Sequence, residues 1–334
     1  MKNFLNLMFT WFIIYAFMVT FVDSAQKAAA DRIYRYKRRG VEEQSCAASI
    51  ENDGLSLINE GINQLSPNIT VQNRFYKAIE DLYNIMKVNK ASIKDKVGMS
   101  LQTYFPTIKQ TLFSLPDFEK SFIYAYSSND GYYDLNKALR EHTCTTKLLT
   151  AQDKSLAPYG AALTAILMHW ENLHSTTKTS YRGSVITQTE LNTYNTSQSL
   201  SIVWLNFASS STDQSISAGF SGNVTFTIKN TNSELSKWRP KLICDCSQFP
   251  NECEALYPPG AVFDVNRVAY DGRRYTIDLT LRGDGPAVGR KRRSASPDVS
   301  TQNGVCYKGS TSSSWICQMN VLNLIVMAII GKLG

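Results

Sequence analysis

Two glutamates, Glu252 and Glu254, stand two residues apart in the run Phe-Pro-Asn-Glu-Cys-Glu-Ala-Leu-Tyr-Pro-Pro at residues 249–259. If this segment is extended, side chains at such a spacing leave the same face, so both carboxylates would face one spot and Cys253 the other side. The flanking prolines favour an edge strand or a strand end, because proline cannot donate to a sheet. Paired carboxylates there could stabilise a developing positive charge or accept a proton. Alone, however, such a pair is more typical of two solvated charges.

Two further motifs precede the glutamates along the chain. Ser-Tyr-Arg-Gly at residues 180–183 contains Arg182, and Phe-Ala-Ser-Ser-Ser-Thr at residues 207–212 contains Ser209. With the glutamates, they resemble the arginine, serine, Glu-x-Glu signature of the arginine-specific ecto-ADP-ribosyltransferases, in the order and rough spacing of that family. A Leu-Asn-x-Ala-x-Arg stretch within residues 131–140 is similar to one that these enzymes carry ahead of the core. The resemblance covers roughly residues 46–282.

The resemblance implies cleavage of the nicotinamide–ribose bond of NAD and transfer of ADP-ribose to a protein arginine, with NAD as substrate and no metal. Breaking this bond builds positive charge on the ribose, which Glu254 would offset while it accepts a hydrogen bond from the 2′-hydroxyl. Ser209 would hold the nicotinamide ribose or position Glu254. Arg182 would pair with the NAD phosphates through its planar guanidinium. Gly183 lacks a Cβ, so its backbone would approach the nicotinamide amide closely.

Glu252 would decide which group receives the ADP-ribose. A guanidinium is protonated near neutrality and is a poor nucleophile, and a second carboxylate could orient it and draw off a proton. Family members with glutamate here modify arginine, so the resemblance implies an NAD(+)–protein-arginine mono-ADP-ribosyltransferase, a glycosyltransferase. Two alternatives stay open. One is an NAD glycohydrolase that uses water on the same residues, and the other is a catalytically silent secreted glycoprotein.

Other chemistries have weaker support in the sequence. The three histidines, His142, His169 and His174, do not have the spacing of metal ligands. Residues 219–222 do not form a Gly-x-Ser-x-Gly nucleophile elbow, and residues 283–285 do not precede a helix as a dinucleotide fingerprint does. The net charge of +7 comes largely from two basic clusters, at 32–39 and 290–293, that lack interleaved aromatic residues. A nucleic-acid partner is therefore not expected.

Hydrophobic periodicity predicts the fold class. Between Cys46 and about Asn172 the pattern is helical, as in the stripe Phe75, Ile79, Leu82 and Met86, and residues 161–173 predict a largely buried helix. From Ser180 onward the period changes to two, notably over 224–228 and 275–281. Helices followed by strands predict an α+β domain with a mostly antiparallel sheet, not a doubly wound nucleotide fold. The resemblance implies the ADP-ribosyltransferase fold, whose sheet is split.

The ends of the chain predict an exported protein. Residues 1–25 have the layout of a signal peptide, although an uncleaved anchor stays possible. Residues 26–39 form a possible propeptide, 46–285 the catalytic domain, and 286–334 a basic linker and tail. The basic clusters resemble proprotein-convertase sites or are solvated loops, and the tail is a possible GPI-anchor signal or a packed amphipathic segment. We expect a secreted protein or one on the extracellular face of the plasma membrane.

Seven cysteines and three glycosylation sequons agree with export. The sequons begin at Asn68, Asn195 and Asn223. The resemblance implies that the start of the domain is tied to its last strand, which suits Cys46 with Cys306 or Cys317. Other pairings are open, including a bridge among the cysteines at 244, 246 and 253. An odd count leaves at least one free or intermolecular thiol unless one is lost in processing.

Overall fold

The computed structural model describes residues 50, 55–69, 75–128, 131–141, 148–198, 201–219, 222–230 and 237–282, and three short strands at 33–35, 306–308 and 315–317. Residues 1–25, for which a signal peptide was predicted, lie outside the described residues, as do Cys46, His142 and the basic cluster at 290–293. The chain divides into two units, Met1–Val288 and Gly289–Gly334. In the second unit, β10 (Cys306–Lys308) pairs antiparallel with β11 (Trp315–Cys317), and Cys306 stands opposite Cys317.

Helices dominate the first half of the first unit. They are α1 (Ser56–Leu65), α2 (Phe75–Val88), α3 (Lys90–Leu101), α4 (Pro106–Phe113), α5 (Phe118–Ser127), α6 (Gly131–Glu141) and α7 (Ala151–His169). All four apolar residues of the stripe predicted on α2 are buried, which confirms that prediction. In the described residues no helix is both long and apolar enough to cross a bilayer.

Helix α7 is the centre of the helical half, and α1, α2 and α3 pack against it. The sequence prediction of a helix over 161–173 was wrong at both ends. The helix begins ten residues earlier because Thr150 and Asp153 form a reciprocal capping box, and it ends at His169. The helix continues through Pro158, and every residue of the helix from Leu156 to Met168 is buried. Burial of this apolar segment offsets the missing hydrogen bond.

In the first unit, nine strands of the described residues form one mixed sheet in the order β1-β3-β8-β9-β5-β2-β4-β7-β6. They are β1 (Ile33–Arg35), β2 (Ser180–Ser184), β3 (Ser201–Trp204), β4 (Ala208–Ser211), β5 (Val224–Lys229), β6 (Lys241–Leu242), β7 (Glu254–Tyr257), β8 (Ala261–Tyr270) and β9 (Tyr275–Leu281). Neighbours pair antiparallel except β5 and β9, which are parallel. The predicted α+β class and the strands over 224–228 and 275–281 are therefore confirmed.

The sheet is nearly split between β2 and β4, which share a single residue pair, Tyr181 with Ser211. On one side of this join the ladder from β2 to β5 is continuous for five residues. On the other side β4 pairs with β7 over four residues. The join therefore brings together the ends of two separately ordered ladders, and the motif residues lie beside it.

Two helices interrupt the strand region, which the change of period to two did not predict. Helix α8 (Gln188–Thr196) begins at a capping box between Thr187 and Glu190, and the short α9 (Gln214–Gly219) follows β4. The tyrosine of α8 at position 194 is fully buried and packs its ring 5.2 Å from that of Phe226. Tertiary packing and capping thus decide this helix more than its own periodicity does.

Candidate active site

Glu254 is the first residue of β7, directly beside the join in the sheet. It stands opposite Ser211 of β4, and the next pair on the same face joins Leu256 to Ser209. Directly paired residues share a face, so Ser209 and Glu254 are diagonal neighbours on it. The hydroxyl of Ser209 is close enough to the carboxyl of Glu254 to lower the pKa of that carboxyl. The structure thus brings together the serine and the second glutamate of the predicted site.

Glu252 does not lie on an extended strand with Glu254, and the sequence expectation was wrong on this point. It ends a 3₁₀ turn, Pro250–Glu252, and Cys253 has a left-handed backbone with φ of 40°. A disulfide joins Cys253 to Cys244. The turn and the crosslink replace the regular alternation of a strand. The two glutamates are nevertheless close enough that the charge of Glu252 raises the pKa of Glu254.

Arg182 lies in β2 and reaches across the join in the sheet. Its half-buried guanidinium donates a hydrogen bond from Nη1 to the backbone oxygen of Ser209. Its charge lowers the pKa of Glu254. This hydrogen bond therefore adds a second link between β2 and β4, whose strand pairing consists of one residue pair. Gly183 follows it, half-buried and opposite Thr225 of β5.

The carboxyl of Glu254 has an unusual environment. Burial is the main reason that its pKa is raised to about 7, and the charge of Glu252 acts in the same direction. The neighbouring hydroxyl of Ser209 and the charge of Arg182 lower the pKa of this carboxyl but do not offset its burial. Glu254 as a whole is only half-buried, yet its Oε1 is shielded from solvent. Within the described residues this oxygen has no hydrogen-bond partner.

We expect Glu254→Gln to be more stable than the wild type, by an amount that grows as pH increases. The unfolded carboxyl has an ordinary pKa of 4.5 and the folded one about 7. Between these values the folded state binds more protons, so the wild type loses stability as pH rises, and the loss is complete above pH 7. Glutamine does not ionise, so the variant does not lose this stability. Above pH 7 its free energy of unfolding should exceed that of the wild type by on the order of 3 kcal/mol at most. Denaturant unfolding near pH 4 and pH 8 would measure the difference.

The exposed glutamate Glu171 provides the control for removing one negative charge, through Glu171→Gln. This control should not show a stabilisation that grows with pH. If Glu254→Gln differs from the wild type by the same amount at both pH values, the carboxyl of Glu254 is not buried as described.

Two residues behind the predicted site were missed as functional candidates. Tyr126 of α5 is buried, and its hydroxyl accepts a hydrogen bond from the side chain of Asn136. Asn136 belongs to the Leu-Asn-x-Ala-x-Arg stretch that carries part of the resemblance, so its motif was a signal without an assigned role. Tyr126 had no sequence signal, because only the tertiary fold brings α5 to β4.

The arrangement suits stabilisation of a cation that forms on a bound molecule. A buried carboxylate oxygen without a partner can accept a hydrogen bond and, when ionised, offset a nearby positive charge. The guanidinium of Arg182 supplies donors for an anionic group. In the part of the chain that the structure describes, no group of three or more His, Cys, Asp or Glu side chains could hold a metal ion.

The split α+β sheet and a carboxylate beside an arginine and a serine at its join define a protein of the ADP-ribosyltransferase class. A model of the family described as NAD:arginine ADP-ribosyltransferase matches residues 86–285, which is more than half of the chain. The chain belongs to this family.

Several solved structures are similar to this chain. The ADP-ribosyltransferase HopU1 of Pseudomonas syringae is 18% identical, with 57% of this chain and 87% of that chain covered and a TM-score of 0.41. The ADP-ribosyltransferase Vis of Vibrio splendidus, solved with agmatine, is 20% identical, with 67% of this chain and 90% of that chain covered and a TM-score of 0.40. The type III effector XopAI of Xanthomonas axonopodis is 15% identical, with 78% and 99% covered and a TM-score of 0.42. None of the curated protein sequences compared with the chain matches it.

Proposed function

We propose that this protein transfers a single ADP-ribose from NAD to arginine side chains of proteins and releases nicotinamide. The observation that carries the proposal is the buried Oε1 of Glu254, without a partner among the described residues, beside Ser209 and Arg182. Membership of the NAD:arginine ADP-ribosyltransferase family supports both the donor and the type of acceptor.

NAD fits the residues that are present. The unpaired Oε1 can accept the hydrogen bond of a ribose hydroxyl, which a buried carboxylate oxygen requires. Arg182 would bind the phosphates through its planar guanidinium, whose geometry matches phosphate oxygens. Gly183 lacks a Cβ, so the nicotinamide amide would approach its backbone closely. Ser209 would position Glu254, which in turn would bind the nicotinamide ribose.

Glu254 acts on the first bond change. As the bond between C1′ and the nicotinamide nitrogen breaks, the electron pair leaves with neutral nicotinamide and the ribose becomes cationic. An ionised Glu254 offsets that charge, and burial strengthens its effect because little solvent screens it. The pKa of about 7 implies that the ionised fraction of Glu254 rises with pH through neutrality. The rate of nicotinamide release should rise over the same range.

Glu252 acts on the second bond change. A guanidinium nitrogen of the acceptor forms a bond to C1′ and gives up one proton, which Glu252 accepts. Glu252 lies in the turn before β7 and is half-buried. It can therefore contact an acceptor that arrives from solvent and still lie beside the site. Its negative charge also attracts the acceptor's guanidinium. Without Glu252, water would remain as the competing acceptor.

Transfer to arginine can be tested with NAD labelled in its adenylate group and an arginine-rich protein acceptor. We expect label on the acceptor that neutral hydroxylamine releases, and no label on acceptor whose arginines have been blocked. Free ADP-ribose as the sole product would instead support an NAD glycohydrolase. Nicotinamide release by neither route, from folded protein, would overturn the proposed function.

The disulfide between Cys244 and Cys253 should stabilise the segment that carries both glutamates. It closes a short loop, with nine residues of separation, and such a crosslink is worth roughly 2–3 kcal/mol. We expect the double substitution C244A and C253A to lower the free energy of unfolding by that amount in non-reducing buffer. The wild type in reductant should show a similar loss.

Cys246 supplies the control for this experiment, because it is a buried free cysteine close to the crosslink in sequence. The substitution C246A removes a thiol without removing the bond, so reductant should still destabilise it. Insensitivity of the wild type to reductant would show that the crosslink does not form.

We also propose that the protein works outside the cytosol, as the amino-terminal segment predicts. The disulfide between Cys244 and Cys253 supports this, because disulfides persist in oxidising compartments. Expression of the full chain in a secreting cell should place the protein in the medium or on the outer cell surface. Retention of the chain in the cytosol would contradict this localisation.

A further inference from the structure

The three glycosylation sequons differ in how the folded chain holds their asparagines. Asn68 is exposed in the turn after α1, and Asn195 is exposed near the end of α8. Within the described residues, neither of these two side chains makes a hydrogen bond. Asn223 is exposed as well, but both polar atoms of its amide are bonded to backbone. The sequons therefore predict different fates for the three asparagines.

The amide of Asn223 forms two hydrogen bonds with a single backbone residue. Its Oδ1 accepts from the N–H of Ile186 at 2.9 Å, and its Nδ2 donates to the carbonyl oxygen of Ile186 at 2.8 Å. Because a backbone N–H can only donate, the orientation of the amide is fixed. Both bonds go to one residue, so the Nδ2 hydrogen that is used lies on the same side of the amide as Oδ1.

This pair of hydrogen bonds closes the ladder between β2 and β5. The last residue pair of the ladder joins Ser184 to Val224, directly after Asn223. The two segments are so close that a Cβ at Gly222 would lie 2.1 Å from the backbone oxygen of Ser184. The backbone oxygen of Asn223 also accepts from the N–H of Tyr275 at 2.9 Å, which joins β9 to the same point. The side chain of Asn223 is thus a clamp at a crowded end of the sheet.

A glycan would replace the hydrogen that this clamp uses. In an N-glycan the asparagine amide carries a sugar carbon, C1, on Nδ2 and becomes a secondary amide, which prefers the trans form. In that form C1 lies on the Oδ1 side of the amide, where the bonding hydrogen of Asn223 lies. Bonded to Nδ2 at ~1.45 Å, C1 would be far inside the contact distance of the Ile186 oxygen, which is 2.8 Å from Nδ2. A glycosylated Asn223 therefore does not form the clamp.

We propose that the exported protein carries N-glycans on Asn68 and Asn195 and none on Asn223, which remains an unmodified clamp between β2 and β5. The clamp also holds the end of the strand that carries Arg182. The proposal rests on the proposed location outside the cytosol, because N-glycans are added in the secretory pathway. It does not rest on the transfer of ADP-ribose, so the two can fail separately.

The modification is a group transfer from a glycan carried on a lipid diphosphate. Nδ2 of the asparagine forms a bond to C1 of the glycan, and the bond from C1 to the diphosphate oxygen breaks. The electron pair of that bond leaves with the lipid diphosphate, and the amide nitrogen gives up one proton. The exposed amides of Asn68 and Asn195 each have an Nδ2 hydrogen that no described residue binds.

The fold selects among the products of this reaction. Transfer takes place on the unfolded chain, so the hydrogen bonds of the folded state do not prevent it. A glycan on Asn68 or Asn195 would project into solvent and leave the fold intact. A glycan on Asn223 would leave the N–H and carbonyl of Ile186, which is buried, without these partners. Chains modified there should fold poorly and be missing from the exported pool.

The first test measures occupancy of each sequon in full-length protein exported by a secreting eukaryotic cell. Enzymatic release of N-glycans in H₂¹⁸O converts each glycosylated asparagine into ¹⁸O-labelled aspartate, which peptide mass spectrometry detects. We expect label at Asn68 and Asn195 and unmodified asparagine at position 223. Label at Asn223, or its absence from Asn68 or Asn195, would overturn the inference. Retention of the chain in the cytosol would overturn it together with the proposed location, without bearing on ADP-ribose transfer.

Substitutions at the third position remove each sequon without changing its asparagine. We expect Thr70→Ala and Ser197→Ala each to lower the mass of the exported protein by one glycan. Thr225→Val should leave the glycan mass unchanged, because Asn223 carries none. Loss of a glycan in Thr225→Val would contradict the proposal.

The clamp itself is tested by Asn223→Asp, with Asn68→Asp as the matched control. Both are made in a chain that already carries Thr70→Ala and Ser197→Ala, so that neither changes the glycan content. Aspartate at 223 presents an oxygen to the carbonyl of Ile186 in place of a donor, so the unfolding equilibrium constant should rise about tenfold or more. Asn68→Asp lies in an exposed turn and should change this constant by less than about twofold. Equal effects of the two substitutions would overturn the clamp.

Discussion

Replacing Glu254 by glutamine should reduce kcat/KM for nicotinamide release by about 10²–10³, because it removes the negative charge that faces the cationic ribose. The amide keeps the size of the side chain and can still accept a hydrogen bond, so NAD binding should weaken much less than turnover. Burial makes this effect large, since few solvent dipoles can replace the lost charge. Steady-state kinetics with separate values of kcat and KM would show the loss in kcat.

The same variant should also be more stable than the wild type at alkaline pH, as derived from the raised pKa of Glu254. Lost activity with gained stability distinguishes a catalytic carboxylate from a structural one, whose removal would lower both. Glu171→Gln on the exposed surface is the control and should behave as the wild type does. Activity of Glu254→Gln within a few fold of the wild type would remove this residue from the mechanism.

Replacing Glu252 by glutamine should separate transfer to arginine from hydrolysis of NAD. We expect transfer to agmatine to fall by about 10² or more, because an amide can neither accept the guanidinium proton nor attract its charge. Hydrolysis should persist, since Glu254, Ser209 and Arg182 are untouched. The ratio of ADP-ribosylagmatine to free ADP-ribose, measured by chromatography, reports this change directly.

This variant has a second effect that serves as its internal control. The charge of Glu252 raises the pKa of Glu254, so its removal should lower that pKa and move the acid limb of nicotinamide release to lower pH. Equal losses of transfer and hydrolysis would show instead that Glu252 supports cleavage of NAD and does not select the acceptor.

Much of the architecture could be predicted because burial imposes a period on the sequence. The four-three-four spacing on α2 and the alternation on β5 and β9 each reflect one buried face. The boundaries of α7 could not be predicted in this way, since Thr150 and Asp153 begin the helix by capping and Pro158 lies inside it. The capping residues and the proline act locally, whereas burial acts over the whole helix. The helix continues through Pro158 because its apolar residues are buried.

At the site, the sequence indicated which residues meet but not how they meet. The motifs pointed to Arg182, Ser209, Glu252 and Glu254, which the fold brings together. The placement of Glu252 in a turn depends on the left-handed backbone of Cys253 and its bond to Cys244, and neither is visible as a pattern. The disulfide pairing among three nearby cysteines likewise had to come from the folded chain.

The position of Tyr126 illustrates the limit most clearly. Tyr126 accepts a hydrogen bond from Asn136. It lies ten residues before Asn136 on another helix and more than eighty before Ser209, and no periodicity relates them. A hydrogen bond between two helices is a property of tertiary packing, so its two partners carry no common spacing in the sequence. Asn136 and Ser209 lie in recognisable motifs, whereas Tyr126 does not.

In the proposed mechanism, the carboxylate of Glu254 at the join of the sheet assists cleavage of NAD for transfer to a guanidinium. Its most direct test is the rate of nicotinamide release by the full-length protein at about pH 8, with and without agmatine, in the wild type and in Glu254→Gln. We expect nicotinamide release by the wild type, agmatine recovered with one ADP-ribose attached, and a release rate lower by about 10² or more in the variant. Equal release by both folded proteins, or none by either, would contradict it.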